Sequence, residues 1–212
     1  MKIYGIGGLG VDERVFSELS LNFKITVLPW IKPDTGESLS EYAKRFSERI
    51  DQSVPFIIVG ISFGGMLAIE LSKLLKPEQV ILISSATQRE EIPLIFRLIV
   101  RAGVLKQMPS FLMKPPPFVA NWFFGVKEEK YKSVLQQIIS ETNTDFLRWA
   151  LAEIGKWDNQ HQPKSLSRIH GTADRLLKCY DSDAINIKKG GHFMIMDKAG
   201  EVSDILNQIT IR

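Results

Sequence analysis

Apolar and polar positions along this 212-residue chain follow two rhythms. Short apolar runs rich in β-branched residues at Lys2–Ile6, Lys24–Leu28, Pro55–Ile61 and Gln79–Ser84 predict strands. Pro55–Ile61 is apolar throughout, the pattern of a strand covered on both faces. Helical spacing fills the intervals. Asp12–Leu19 carries Val15, Phe16 and Leu19 on one side, and Ser38 caps a helix to about Ile50 through Leu39, Tyr42, Ala43 and Phe46. Phe63–Leu75 is a third helix, in which Gly64, Gly65 and Ala68 permit close approach to a sheet.

The rhythm changes after the fourth strand. Residues 88–162 hold no strand pattern, only helical stretches at Leu94–Val104, Lys127–Ile139 and Asp145–Lys156, interrupted by Gly103, Pro109 and Pro115-Pro116-Pro117. Strands return at Leu166–His170 and Ala184–Ile187, and Gly200–Ile211 closes the chain as a helix. Strands alternating with helices imply a parallel sheet with right-handed crossovers. The predicted architecture is α/β: a mostly parallel sheet of about six strands with flanking helices, residues 1–87 and 163–212, carrying an inserted helical cap, residues 88–162.

Composition narrows the function classes. The 44% hydrophobic content, with twelve Phe and four Trp, supplies a sizeable core and excludes a disordered chain. The net charge of +3 comes from interspersed residues, so no basic stripe marks a nucleic-acid surface. Cys179 is the single cysteine and cannot form an internal disulfide, which fits a reducing compartment. The apolar runs are too short to span a bilayer, and no basic segment followed by an apolar leader opens the sequence. A cytoplasmic protein with no membrane or nucleic-acid partner is expected.

The sharpest chemical signal is Gly60-Ile61-Ser62-Phe63-Gly64, a G-x-S-x-G set between a buried strand and a helix. A tight strand–turn–helix lifts the Ser62 hydroxyl above the sheet's carboxyl edge, and the new helix presents N–H groups to developing negative charge. The bland alternative is a serine capping a glycine-rich turn. A serine nucleophile needs a base. Of three histidines, His161 lies in the polar run Asp158–Gln162 and His170 lies within a strand. His192 follows Gly190-Gly191 between the last strand and the last helix, which makes it the candidate base. Asp174, in the turn after the penultimate strand, is the candidate acid, with Asp181 and Asp183 as fallbacks.

Ser62, Asp174 and His192, in that order and context, resemble the α/β-hydrolase superfamily over nearly the whole chain. The resemblance implies a nucleophile, an acid and a base at these positions, and it implies a cap where residues 88–162 lie. It also reinterprets Gly5-Ile6-Gly7-Gly8-Leu9-Gly10, which alone would pass for a dinucleotide fingerprint. The second strand ends in Leu28-Pro29-Trp30 without the acidic residue that holds a ribose. In the superfamily this loop is the oxyanion loop, with backbone N–H donors here from Leu9 and Phe63. Gly7 stands where many relatives carry histidine, and the sheet lacks the first two strands of the larger fold.

The implied activity is a serine hydrolase that cleaves a small acyl substrate without cofactor or metal, since neither H-x-x-x-H nor C-x-x-C occurs. Aspartate-based dehalogenase chemistry does not fit Ser62. A cofactor-free lyase or peroxidase-like enzyme, or a non-catalytic ligand-binding protein, would share this framework. Aromatic residues around Phe118–Phe124 are candidates to line an apolar pocket, and Arg97, Arg101, Lys106 and Lys114 read as a solvated face.

Overall fold

A computed structural model describes residues 1–10 and 13–210 of the chain. Six parallel strands form one sheet: β1 (Lys2–Ile6), β2 (Thr26–Val27), β3 (Phe56–Ile61), β4 (Gln79–Ile83), β5 (Leu166–Gly171) and β6 (Ile185–Ile187). Their spatial order is β2-β1-β3-β4-β5-β6. The connections therefore reverse direction beside β1 and β3, and the loops leaving those two strands frame the crevice where α/β sheets place their ligands.

The helices are α1 (Leu39–Ser47), α2 (Phe63–Leu74), α3 (Leu94–Arg101), α4 (Val104–Gln107), α5 (Pro117–Phe124), α6 (Glu129–Glu141), α7 (Thr144–Lys156), α8 (Met194–Asp197) and α9 (Ala199–Ile209). Ser38 caps α1 in a reciprocal capping box with Glu41, as the spacing of that helix predicts. Alternation along β3 divides the core in two. Phe56 and Ile58 pack with α1, α2 and α7 on one face, while Ile57, Val59 and Ile61 pack with α6, α8 and α9 on the other.

Several elements differ from the sequence expectation. The expected helix Asp12–Leu19 is only a 3-10 turn, Glu13–Phe16, and Asp12 lies outside the described residues, as does Ile211 at the far end. The expected helix Leu94–Val104 stops at Arg101 because Gly103 turns the chain with φ 74°, and α4 follows as a separate turn. Helix α5 was not expected: Pro117 begins it, at the one helical position where a missing N–H costs nothing.

The insertion is bolted to the body through buried polar contacts. Trp149 Nε1 donates to the Glu37 carbonyl at 2.7 Å, Trp157 Nε1 donates to Glu70 at 2.8 Å, and the Leu39 N–H donates to Glu153 at 3.1 Å. At its start Glu91, fully enclosed, forms a two-pronged ion pair with Arg168 of β5 at 2.8 and 3.0 Å.

Behind the sheet, at the end of α8, burial pushes the Asp197 carboxyl up to about 6, with help from the nearby Glu128 charge. An aspartate in the unfolded chain titrates near 3.9, so the folded state holds this proton more tightly. Ionisation therefore costs folded-state stability as pH rises from about 4 to about 6. Asp197→Asn is expected to be more stable than the parent by about 1 kcal/mol at pH 8 and equal to it at pH 4. Urea unfolding at the two pH values measures this.

Candidate active site

The elbow after β3 explains its own glycines. Ser62 has φ 51° and ψ −120°, a conformation that non-glycine residues adopt only when the surroundings impose it. A Cβ on Gly60 would lie 2.5 Å from Gly65 Cα, and one on Gly64 would lie 2.2 Å from the Gly7 carbonyl oxygen. The turn is thus pressed against its own helix on one side and against the loop after β1 on the other. Two hydrogen bonds hold the strained backbone: Ser62 N–H donates to Ile83 O at 2.9 Å, and Ser85 Oγ donates to Ser62 O at 2.7 Å.

Two further loops converge on the Ser62 hydroxyl. The turn after β5 and the glycine loop after β6 are stitched together: Ala173 N–H donates to Gly190 O at 2.9 Å, and Lys189 N–H donates to Thr172 Oγ1 at 2.9 Å. Their side chains then fall in line. His192 Nε2 lies 2.8 Å from Ser62 Oγ, and His192 Nδ1 lies 2.7 Å from Asp174 Oδ2. The other Asp174 oxygen accepts the Leu176 and Leu177 N–H groups at 2.8 and 3.1 Å. That carboxylate is fixed in place by its own turn.

Burial opposes ionisation of Asp174, but the His192 charge, its hydrogen bond, the Leu177 amide and nearby His170 together outweigh it. The carboxyl is held below its ordinary value. An ionised Asp174 facing Nδ1 fixes the tautomer in which Nε2 is free to take the serine proton.

His170 is buried, as expected of a strand histidine, with Nε2 3.2 Å from the Leu177 carbonyl oxygen. It also stands 3.4 Å from Asp174 Oδ2, on the carboxylate's second flank, a proximity that no sequence spacing discloses. Burial pushes its imidazole below the ordinary histidine value, with Asp174 pulling the other way. His161 is exposed and belongs to no site. Of the fallback acids, Asp181 sits 3.8 Å from Arg168 and Asp183 is exposed, so neither takes Asp174's place.

Phe63 opens α2, and a first helical N–H has no partner within its own helix. Leu9 lies in the loop that presses on Gly64. That loop is anchored from below by Trp30, which the sequence marks only as the end of the second strand: its Nε1 donates to the Gly8 carbonyl at 2.9 Å, and its ring stacks on Phe63 at 5.2 Å. From the insertion, Thr142 fills the space beside Gly10, whose φ of 67° and crowding both require glycine. Helix α5 roofs the base: the Phe124 ring meets His192 edge-on at 5.5 Å, and Phe193 N–H donates to Phe124 O at 3.1 Å. Among the described residues, no group of three or more His, Cys, Asp or Glu side chains could hold a metal ion.

A parallel sheet in this order, a strained serine elbow after the third strand, and an acid and a histidine after the last two strands define the α/β-hydrolase fold. Solved structures share the fold. A hydrolase from Oleispira antarctica is similar with a TM-score of 0.74 at 14% identity, covering 98% of this chain and 90% of that one. A hydrolase from Pseudomonas aeruginosa gives a TM-score of 0.71 at 14% identity, covering 97% and 88%. A lipase-esterase related protein from Clostridium acetobutylicum gives 0.68 at 15% identity, covering 98% and 93%. No protein-family profile matches the chain, and no curated protein sequence does.

Proposed function

We propose that this protein is a serine hydrolase that cleaves a small ester or related acyl compound through an acyl-enzyme. The observation that carries the reading is the unbroken relay from Ser62 Oγ through His192 to Asp174, at 2.8 and 2.7 Å. Proteins of similar fold that are hydrolases or lipase-esterase related support it.

In the first half-reaction Ser62 Oγ attacks the acyl carbon while His192 Nε2 takes its proton, and Asp174 stabilises the imidazolium. The N–H groups of Leu9 and Phe63 receive the oxyanion, each contributing about 3 kcal/mol to the transition state. The intermediate collapses by expelling the alcohol, which leaves with the proton from His192. In the second half-reaction His192 deprotonates water, the hydroxide attacks the acyl carbon, and Ser62 leaves reprotonated with the acid as product. No cofactor enters the balance. Cytoplasmic residence belongs to the same reading and is supported by the lone Cys179.

A panel of p-nitrophenyl esters of increasing acyl length tests the reaction class. Saturable release of nitrophenol with at least one ester, abolished by prior fluorophosphonate treatment, is expected. No turnover of any ester by folded protein would reject the hydrolase in favour of the lyase or binding-protein readings.

A further inference from the structure

Ten of the fourteen large apolar side chains that stand exposed among the described residues fall between positions 94 and 123, within the insertion. Helix α3 turns Leu94, Ile95, Leu98 and Ile99 outward. The turn after α4 exposes Phe111 at 77%, and α5 exposes Phe118 at 75% together with Trp122. Val104 and Leu112 share a surface groove of about 340 Å³, so α4 and that turn present one continuous concavity. Apolar exposure on this scale marks an interaction site.

Charge says what the face meets. From Ile92 to Val126 the sequence holds Arg97, Arg101, Lys106 and Lys114 and not one acidic residue, in a chain whose net charge is only +3. Bulky Phe, Trp, Leu and Ile flanked by cations alone is the composition of elements that lie in a membrane interface, apolar groups among the acyl chains and cations at anionic headgroups. A second copy is a poorer occupant, because a two-fold contact would bring the same four cations together. The face is also tied to the reactive centre, since α5 carries exposed Trp122 and, two residues on, Phe124 against the His192 ring.

We propose that residues 94–123 form a docking face for an anionic lipid surface. Apolar runs too short to span a bilayer speak only against a spanning segment, and surface docking needs none. Among the described residues, no helix is long and apolar enough to cross a membrane. Binding through this face does not depend on the hydrolytic reading and is measured without it.

The test is co-sedimentation of the full chain with vesicles of phosphatidylcholine alone and of phosphatidylcholine mixed with phosphatidylglycerol. The protein is expected to pellet with the mixed vesicles and far less with the neutral ones. Arg101→Gln with Lys106→Gln is expected to weaken partitioning roughly 25-fold, about fivefold per cation removed. Phe111→Ser with Phe118→Ser, both outward-facing and so neutral for folding by circular dichroism, is expected to abolish it. Failure to pellet with the mixed vesicles, or cation variants that bind like the parent, would overturn the proposal. A dimer in sedimentation velocity that the phenylalanine variant dissociates would overturn it too, assigning the face to a second copy.

Discussion

Ser62→Ala is expected to lower kcat for ester hydrolysis by roughly a millionfold while leaving the fold intact. The size follows from the way the three side chains act as a unit. Without Oγ, the His192 base 2.8 Å away has no proton to take, and the carboxylate 2.7 Å beyond it has no imidazolium to stabilise. Asp174→Asn alone should cost about 10⁴, because an amide at that position stabilises the wrong histidine tautomer. Adding Asp174→Asn to Ser62→Ala should cost almost nothing more. A second effect runs the other way. Ser62 sits at φ 51°, where glycine is unstrained, so Ser62→Gly is expected to unfold later than the parent by about 1 kcal/mol while also being inactive. Steady-state kinetics and urea unfolding on the same variants measure both. Retained turnover in Ser62→Ala would remove the serine from the mechanism.

The largest stability effect is expected at Glu91. Its carboxylate is completely enclosed. It accepts from Arg168 through both terminal guanidinium nitrogens, from Thr87 N–H at 2.6 Å, and from Tyr180 N–H. Glu91→Leu removes that anion and leaves the buried Arg168 charge with only the partly exposed Asp181 carboxylate, 3.8 Å away. Orphaning one member of a buried pair costs about 3–5 kcal/mol. The double variant Glu91→Leu, Arg168→Met should regain most of the loss, since it buries no charge at all. Urea midpoints for the parent, both single variants and the double variant close the cycle. A single variant within 1 kcal/mol of the parent would show that the pair is not what pins the insertion to β5.

Much of this was legible in the sequence, and the reasons differ by element. Strand β3 announced itself because a strand covered on both faces must be apolar at every position, and Phe56–Ile61 is buried throughout. Ser62, Asp174 and His192 were legible because each follows a strand and sits beside turn-forming residues, so chain order alone brings them to one sheet edge. The insertion was harder. Three consecutive prolines look like a break, yet Pro117 starts α5, because the first helical turn tolerates proline. Gly103 ended a helix early through a positive φ that residue identity permits but does not demand. Trp30 reaches the Gly8 carbonyl from another loop, and His170 reaches Asp174 across the turn that ends its own strand; residue type alone encodes neither contact.

Whether Ser62 is an activated nucleophile is read most plainly from intact-protein mass after treatment with a small fluorophosphonate. A single adduct on the parent, mapped to Ser62, absent from Ser62→Ala and formed far more slowly in His192→Ala, is the predicted result. An unmodified folded parent, or an adduct on any residue other than Ser62, would contradict it.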